Sequence, residues 1–115
     1  MKNLEILEYT EDGYNSTMNY ESWRVAIANF GKNFDEEQYE YIERHLKTDE
    51  VFVLLMGSAT LVTGMERTKT PMEQGKIYNV KCGAWHALLM ERDAKVLIVE
   101  NHNTSRENSE YYYFR

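Results

Sequence analysis

The feature that most constrains this chain is a succession of short β-prone runs, each stopped by a glycine or a polar cluster. Trp23 to Phe30 ends at Gly31, and Tyr39 to His45 gives way to Lys47-Thr48-Asp49. Val51 to Met56 ends at Gly57, and Ser58 to Thr63 ends at Gly64. Beyond the single proline, Pro71, the runs resume as Lys76 to Val80, Ala84 to Met90 and Lys95 to Glu100. Short strands at regular spacing, with turn residues between them, predict an all-β sandwich or barrel. Phe34 to His45 is the best helical competitor, but its 3.6-residue stripe (Phe34, Gln38, Tyr41, His45) is weakly apolar; the reading there is a short turn at Asp35-Glu36-Glu37 before a strand.

At 115 residues the chain fits one domain, 1–115, with no repeats or linkers. Thirteen basic against nineteen acidic residues give a net charge of −6, which disfavours nucleic acid or an anionic membrane as partner. No apolar stretch approaches the roughly 18 residues of a membrane span. The opening segment Met1 to Glu8 carries charges where a signal peptide needs an apolar run, so the expectation is a cytoplasmic protein. A lone cysteine, Cys82, excludes an internal disulfide and any Cys-rich metal site. A metal here must be held by the three histidines and the carboxylates.

Strand alternation shows where those residues point. Side chains two apart share a face, so Tyr41, Glu43 and His45 go together, as do Glu50, Phe52, Leu54 and Met56, and Ala84, His86, Leu88 and Met90. If these faces look inward, two imidazoles and two carboxylates converge among apolar neighbours, where each must pair with another polar group, a metal or a ligand. Glu43, His45, Glu50 and His86 are thus the metal-ligating candidates, a set suited to divalent Zn, Mn, Fe or Ni. The competing reading is an empty pocket in which the carboxylates bond to the histidines. Tyr41, Phe52 and Met90 share the inward faces and, with Arg24, are candidate substrate contacts. His102, in Asn101-His102-Asn103-Thr104, reads as an exposed loop residue, and Cys82 as structural.

The spacing resembles the two cupin motifs. The first is carried by Glu43-Arg44-His45, Glu50 and Gly57 (about 43–57), with Glu43 where the first histidine usually stands. The second runs from Gly75 through Lys81-Cys82-Gly83-Ala84-Trp85-His86 (about 75–90), with Lys81 in the proline place. The resemblance implies a small antiparallel β-barrel or jelly roll, with a homodimer through strand pairing as the expected assembly. Within cupins, Glu43-Arg44-His45 and Trp85-His86 look most like the ureidoglycolate lyase family, over about residues 39–101. That implies cleavage of a small hydroxylated carboxylate into urea and glyoxylate, with His86 or Glu50 as base and His45 and Glu43 holding metal or substrate. Ala87 replaces a second histidine of that pattern, and Glu50 stands where the family tends to have an amide.

A substrate carboxylate would need a cation, for which Arg24, Arg44 and Lys81 are the candidates; Arg44 alternates away from the interior. Two rivals stand beside the lyase: a non-catalytic sugar- or metabolite-binding cupin, and a sugar-phosphate isomerase-like cupin, for which the inward faces show no phosphate-binding cation. Trp85, opposite to His86, reads as a packing residue, and Tyr111-Tyr112-Tyr113-Phe114 as a closing strand or dimer contact.

Overall fold

A computed structural model describes residues 3–115; Met1 and Lys2 lie outside the described residues. The strands are β1 (Gly13–Tyr20), β2 (Trp23–Asn29), β3 (Tyr41–His45), β4 (Glu50–Met56), β5 (Ala59–Thr63), β6 (Thr68–Pro71), β7 (Ile77–Val80), β8 (His86–Met90), β9 (Lys95–Asn101) and β10 (Ser109–Tyr113). Two short 3-10 turns, Lys32–Phe34 and Arg106–Asn108, are the helical elements among the described residues. The turn expected at Asp35-Glu36-Glu37 falls at Glu36 to Gln38, one residue further along. All strand pairs are antiparallel and form two sheets, ordered β1-β2-β9-β4-β7 and β10-β3-β8-β5-β6. The fold is the all-β arrangement of antiparallel sheets that the sequence predicts.

Sequence alternation maps onto the layers. Ala26 and Ala28, Phe52 and Leu54, and Val96 and Ile98 are buried between the sheets with Leu61, Leu88 and Met90. Pro71, which lacks an N–H for the ladder, sits in β6 at a sheet edge where none is required. β1 and β6 escape sequence reading because Asn15, Ser16, Thr17 and Asn19, and Thr68 and Lys69, show no apolar alternation. Met56 corrects an expectation: the β4–β9 register slips between Leu54 and Met56, and the extra residue leaves Met56 exposed rather than inward.

The register also brings the polar residues together. Leu54 lies opposite Val96 and Phe52 opposite Ile98. Two further steps toward the same end of the sheet place Glu50 beside Glu100. In the second sheet Glu43 pairs with His86, and His45 lies two residues along β3. The apolar core therefore fills one end of the sandwich and the carboxylates and imidazoles gather at the other.

One glycine shapes each end of the sandwich. Gly57 has φ +74°, and a Cβ there would lie 2.4 Å from the Asp93 carbonyl oxygen, so the turn after β4 admits no side chain. Gly83, at φ +84°, donates its N–H to the His45 carbonyl at 2.8 Å, clamping the loop before β8 to the end of β3. Asp49 strengthens the clamp by accepting from the Cys82 N–H and from Asn79 Nδ2.

Candidate functional site

Glu50 is the centre of the polar end. Its Oε1 lies 3.0 Å from Nε2 of His45 and 3.0 Å from Nε2 of His86. All three side chains are buried. Each imidazole is fixed from behind. Ser109 Oγ gives its one proton to the Ser105 carbonyl, so it accepts from His45 Nδ1 at 2.8 Å. The Ala84 carbonyl, which can only accept, takes Nδ1–H of His86 at 3.0 Å.

Both rings are thereby set with Nδ1 as donor, the arrangement by which outer partners orient metal-binding histidines. A neutral ring in that tautomer presents a lone pair at Nε2, and a lone pair cannot bond to a carboxylate oxygen. The geometry thus calls for positive charge between the rings and Glu50, either protons on Nε2 or a divalent cation.

The titration behaviour follows. Burial alone would push the Glu50 carboxyl up, but the hydrogen bonds and charges of His45 and His86 outweigh it and hold it well below the ordinary carboxylate range. Burial alone would lower both histidines; the Glu50 hydrogen bond and charge, with Glu43 adding to them, raise both instead. Glu43, whose Oε1 is 3.9 Å from His45 Nε2, is raised, chiefly by burial.

Beside this triad lies a second carboxylate that the sequence reading missed. Glu100 is buried, and its Oε1 accepts from Tyr14 Oη at 2.6 Å and from Arg24 Nη2 at 2.9 Å and Nε at 3.2 Å. Burial and the nearby Glu50 raise Glu100, and Tyr14 is raised by its own burial and by its bond to Glu100. The same two-residue alternation that buries Val96 and Ile98 points Glu100 inward, so the signal was available. Tyr14 had none, lying in a polar edge strand.

A cavity of about 650 Å³ opens onto these groups. Tyr41 and Phe52 line it, as do Glu43, His45, Glu50 and His86. Met90 does not: it faces inward but is buried deeper, in the apolar core. Arg24 lines the cavity, yet its guanidinium is committed to Glu100 and to the carbonyls of His102 and Thr104. The inward faces were expected to show no phosphate-binding cation; Lys32 and Arg106 also line the cavity, contributed by 3-10 turns that strand alternation does not address. Arg106 stacks over the Tyr111 ring at 4.9 Å, and Tyr111 packs edge-on against Tyr41.

Arg44 points outward, as alternation predicts, over the Trp85 ring and paired with Glu110. Trp85 packs on the outer face of the second sheet. Cys82 and His102 are exposed.

One ligand atom each from Glu43, His45 and His86, and from His45, Glu50 and Glu100, lie within 4.8 Å of one another. Two imidazoles in the ligating tautomer with flanking carboxylates fit a divalent ion of the Zn, Mn, Fe or Ni class.

No known family profile matches the chain, and no curated protein does. Solved structures do. A cupin-2 domain protein from Shewanella frigidimarina is similar at TM-score 0.63 and 16% identity, over 82% of this chain and 85% of that one. An RmlC-like cupin with a double-stranded β-helix fold from Methanocaldococcus jannaschii is similar at 0.62 and 11%, over 86% and 91%. The nucleoside dehydratase Pac13, variants of which from Streptomyces were solved with uridine, is similar at 0.67 and 9%, over 94% and 86%. Likenesses at this level of identity speak to architecture alone, and on that ground the chain has the cupin fold.

Proposed function

We propose that this protein is a small-molecule lyase that acts on a small hydroxylated carboxylate, with His45, His86 and Glu50 as the holders of a divalent cation. The observation that carries the reading is the pair of Nε2 atoms, each left to hold a proton or a metal once Nδ1 donates behind it, and each 3.0 Å from the same Glu50 oxygen. A bound divalent ion would supply Lewis acidity, polarising a substrate hydroxyl or carboxylate.

The chain's own residues supply the rest. Glu43 faces the cavity, and its carboxyl is raised by burial, which suits it to take a hydroxyl proton and return it to the departing group. This reassigns the proton carrier from His86 and Glu50, which are bonded to each other. Arg106, at the cavity wall and free of any carboxylate partner among the described residues, meets the substrate carboxylate; Arg24 holds Glu100 in place. Tyr41, Phe52 and Tyr111 enclose the carbon skeleton and exclude water.

Ureidoglycolate, cleaved to urea and glyoxylate, is the substrate we favour, because Glu43-Arg44-His45 and Trp85-His86 carry that resemblance. Pac13, as a dehydratase, also performs an elimination, which supports the lyase class. Arg106 and Lys32 keep a phosphorylated sugar as the second reading.

The test is metal content after purification, followed by titration of Zn and Mn into wild type, Glu50→Ala and His86→Ala. Stoichiometric metal in wild type, lost in both variants, supports the proposal. A metal-free protein whose small-molecule binding is unchanged in both variants overturns it. Release of urea and glyoxylate from ureidoglycolate decides the substrate.

A further inference from the structure

The outer face of the second sheet carries a groove that the polar end of the sandwich does not use. The β5–β6 hairpin turns from Gly64 to Arg67, where the Arg67 N–H donates to the Gly64 carbonyl at 3.0 Å. Arg67 holds φ +56°, the left-handed region that residues bearing a β-carbon enter at a cost. From this turn its guanidinium lies over the Phe114 ring, 3.8 Å from the centre, and Phe114 meets Tyr39 edge-on at 5.0 Å.

The charge of Arg67 is left uncompensated. Its Nη1 is sealed from solvent, and it is the one buried side-chain nitrogen or oxygen without a hydrogen-bond partner among the described residues. No ion pair among the described residues includes Arg67. Glu66, its neighbour in sequence, folds back over Gly64 into the space that a β-carbon would fill. A guanidinium pinned on a ring with no anion beside it calls for one from outside, because a buried polar group is costly until it is paired.

The surroundings narrow the choice of anion. The groove measures about 470 Å³, within the ~300–1,000 Å³ of ordinary small-ligand sites. Lys69 and Arg115 join Arg67 in its wall, against Glu36 and Glu66. Lys69 pairs with Glu36, and the Arg115 guanidinium donates to the Glu36 and Glu37 carbonyls. Three cations against two carboxylates leave one positive charge in excess, on a chain whose net charge is −6. Tyr39 and Phe114 bring half-buried ring surface beside these charges.

We propose that this groove binds an organic monocarboxylate with an apolar or aromatic body. One negative charge matches the one in excess. With Nη1 turned inward, the Nε–Nη2 edge of Arg67 is the side left open, and two parallel N–H donors suit the two oxygens of a carboxylate. The rings take the body. A phosphate dianion would exceed the excess charge and leave the rings unused. Tyr39 also lines the cavity that holds Glu50, so it is a wall between the two spaces.

Benzoate is the probe, titrated into the isotope-labelled full chain at fixed ionic strength and followed by NMR. Saturation is expected below about 10 mM with a Kd of about 1 mM or tighter, moving the amide signals of Tyr39, Thr68 and Phe114. Acetate, which lacks the body, and benzamide, which lacks the charge, are expected to bind at least about tenfold more weakly. Arg67→Asn is expected to weaken benzoate at least about tenfold while keeping the turn, since asparagine enters the left-handed region readily; near-UV circular dichroism checks the fold. Arg106→Ala, at the other cavity, is expected to leave the three shifts in place. The proposal is overturned by absence of saturation, by binding unchanged in Arg67→Asn, or by shifts confined to the Glu50 cavity and lost in Arg106→Ala. A groove that takes benzamide or inorganic phosphate as tightly as benzoate overturns it too.

Discussion

The two sheets share a length and a pairing pattern but treat their outer faces in opposite ways. On the second sheet, Ile42, Val62 and Leu89 are almost fully buried although they point away from the core, because Tyr39, Trp85 and Phe114 lie over them. Arg44 and Arg67 cap the Trp85 and Phe114 rings at 4.7 Å and 3.8 Å. On the first sheet, Val25, Ile27, Val51, Val53, Leu97 and Val99 keep part of their surface open. The aromatic C-terminal segment covers one face and leaves the other partly open. The inner faces divide as well: the first sheet supplies Glu50, Glu100, Tyr14 and Arg24, and the second supplies the histidines and Glu43.

The strongest way to break the inner division is Glu50→Gln, which leaves two rings facing an amide where they had a shared charge. Loss of one partner from a buried charged cluster costs about 3 kcal/mol or more. Urea unfolding of the metal-free protein near pH 6 measures it, and a cost below about 1 kcal/mol would show that the triad is not a charged unit.

On the outer faces, Ile42→Ala is expected to cost about 3 kcal/mol, since it opens a cavity beneath the aromatic cover. Val53→Ala, on the open face, should cost about 1 kcal/mol or less. Equal costs would mean that the two faces are covered alike.

Acidity sharpens the comparison. His45 and His86 are raised above 6.5 in the folded state, so their stabilisation is complete below that value and lost as pH climbs through the folded ones. Glu43 and Glu100, raised above 4.5 by burial, add to the loss on the alkaline side. Glu50, depressed below 4.5, contributes above that value and fails as pH falls through its folded one. The metal-free protein should therefore lose stability as pH rises above 6.5, read as a falling urea midpoint. Added Zn should reverse the trend, because metal competes with protons for the same nitrogens. A flat profile would remove the histidines from the charged unit.

The smallest effect expected on stability is that of Arg106→Ala, within about 0.5 kcal/mol at an exposed position. Its expected signature is weaker substrate binding, a raised KM with kcat little changed.

How much of this was legible depended on which rule each residue obeys. His45, Glu50 and His86 sit on strands whose neighbours alternate cleanly, so a period of two was enough to aim them inward. Glu100 obeys the same rule behind Val96 and Ile98. Tyr14 lies on an edge strand of polar residues with no apolar face to give its direction. Lys32 and Arg106 come from 3-10 turns, where backbone geometry sets direction and no periodicity exists. Met56 was misplaced by a bulge, which adds a residue that alternation cannot foresee, and Met90 by depth, since an inward direction does not say which end of the sandwich a side chain fills.

Because Glu50 belongs to β4 and the two imidazoles to β3 and β8, the site is also a tie between layers. Whatever charge sits there, proton or metal, is a rivet through the sandwich at the end where no aliphatic core glues the sheets together. Drawing that rivet should loosen both layers at once, so amide hydrogens of β3, β4, β8 and β9 would exchange faster in concert while the opposite, apolar end stays protected. Chemistry and mechanical closure of the barrel mouth would then be two readings of one occupancy.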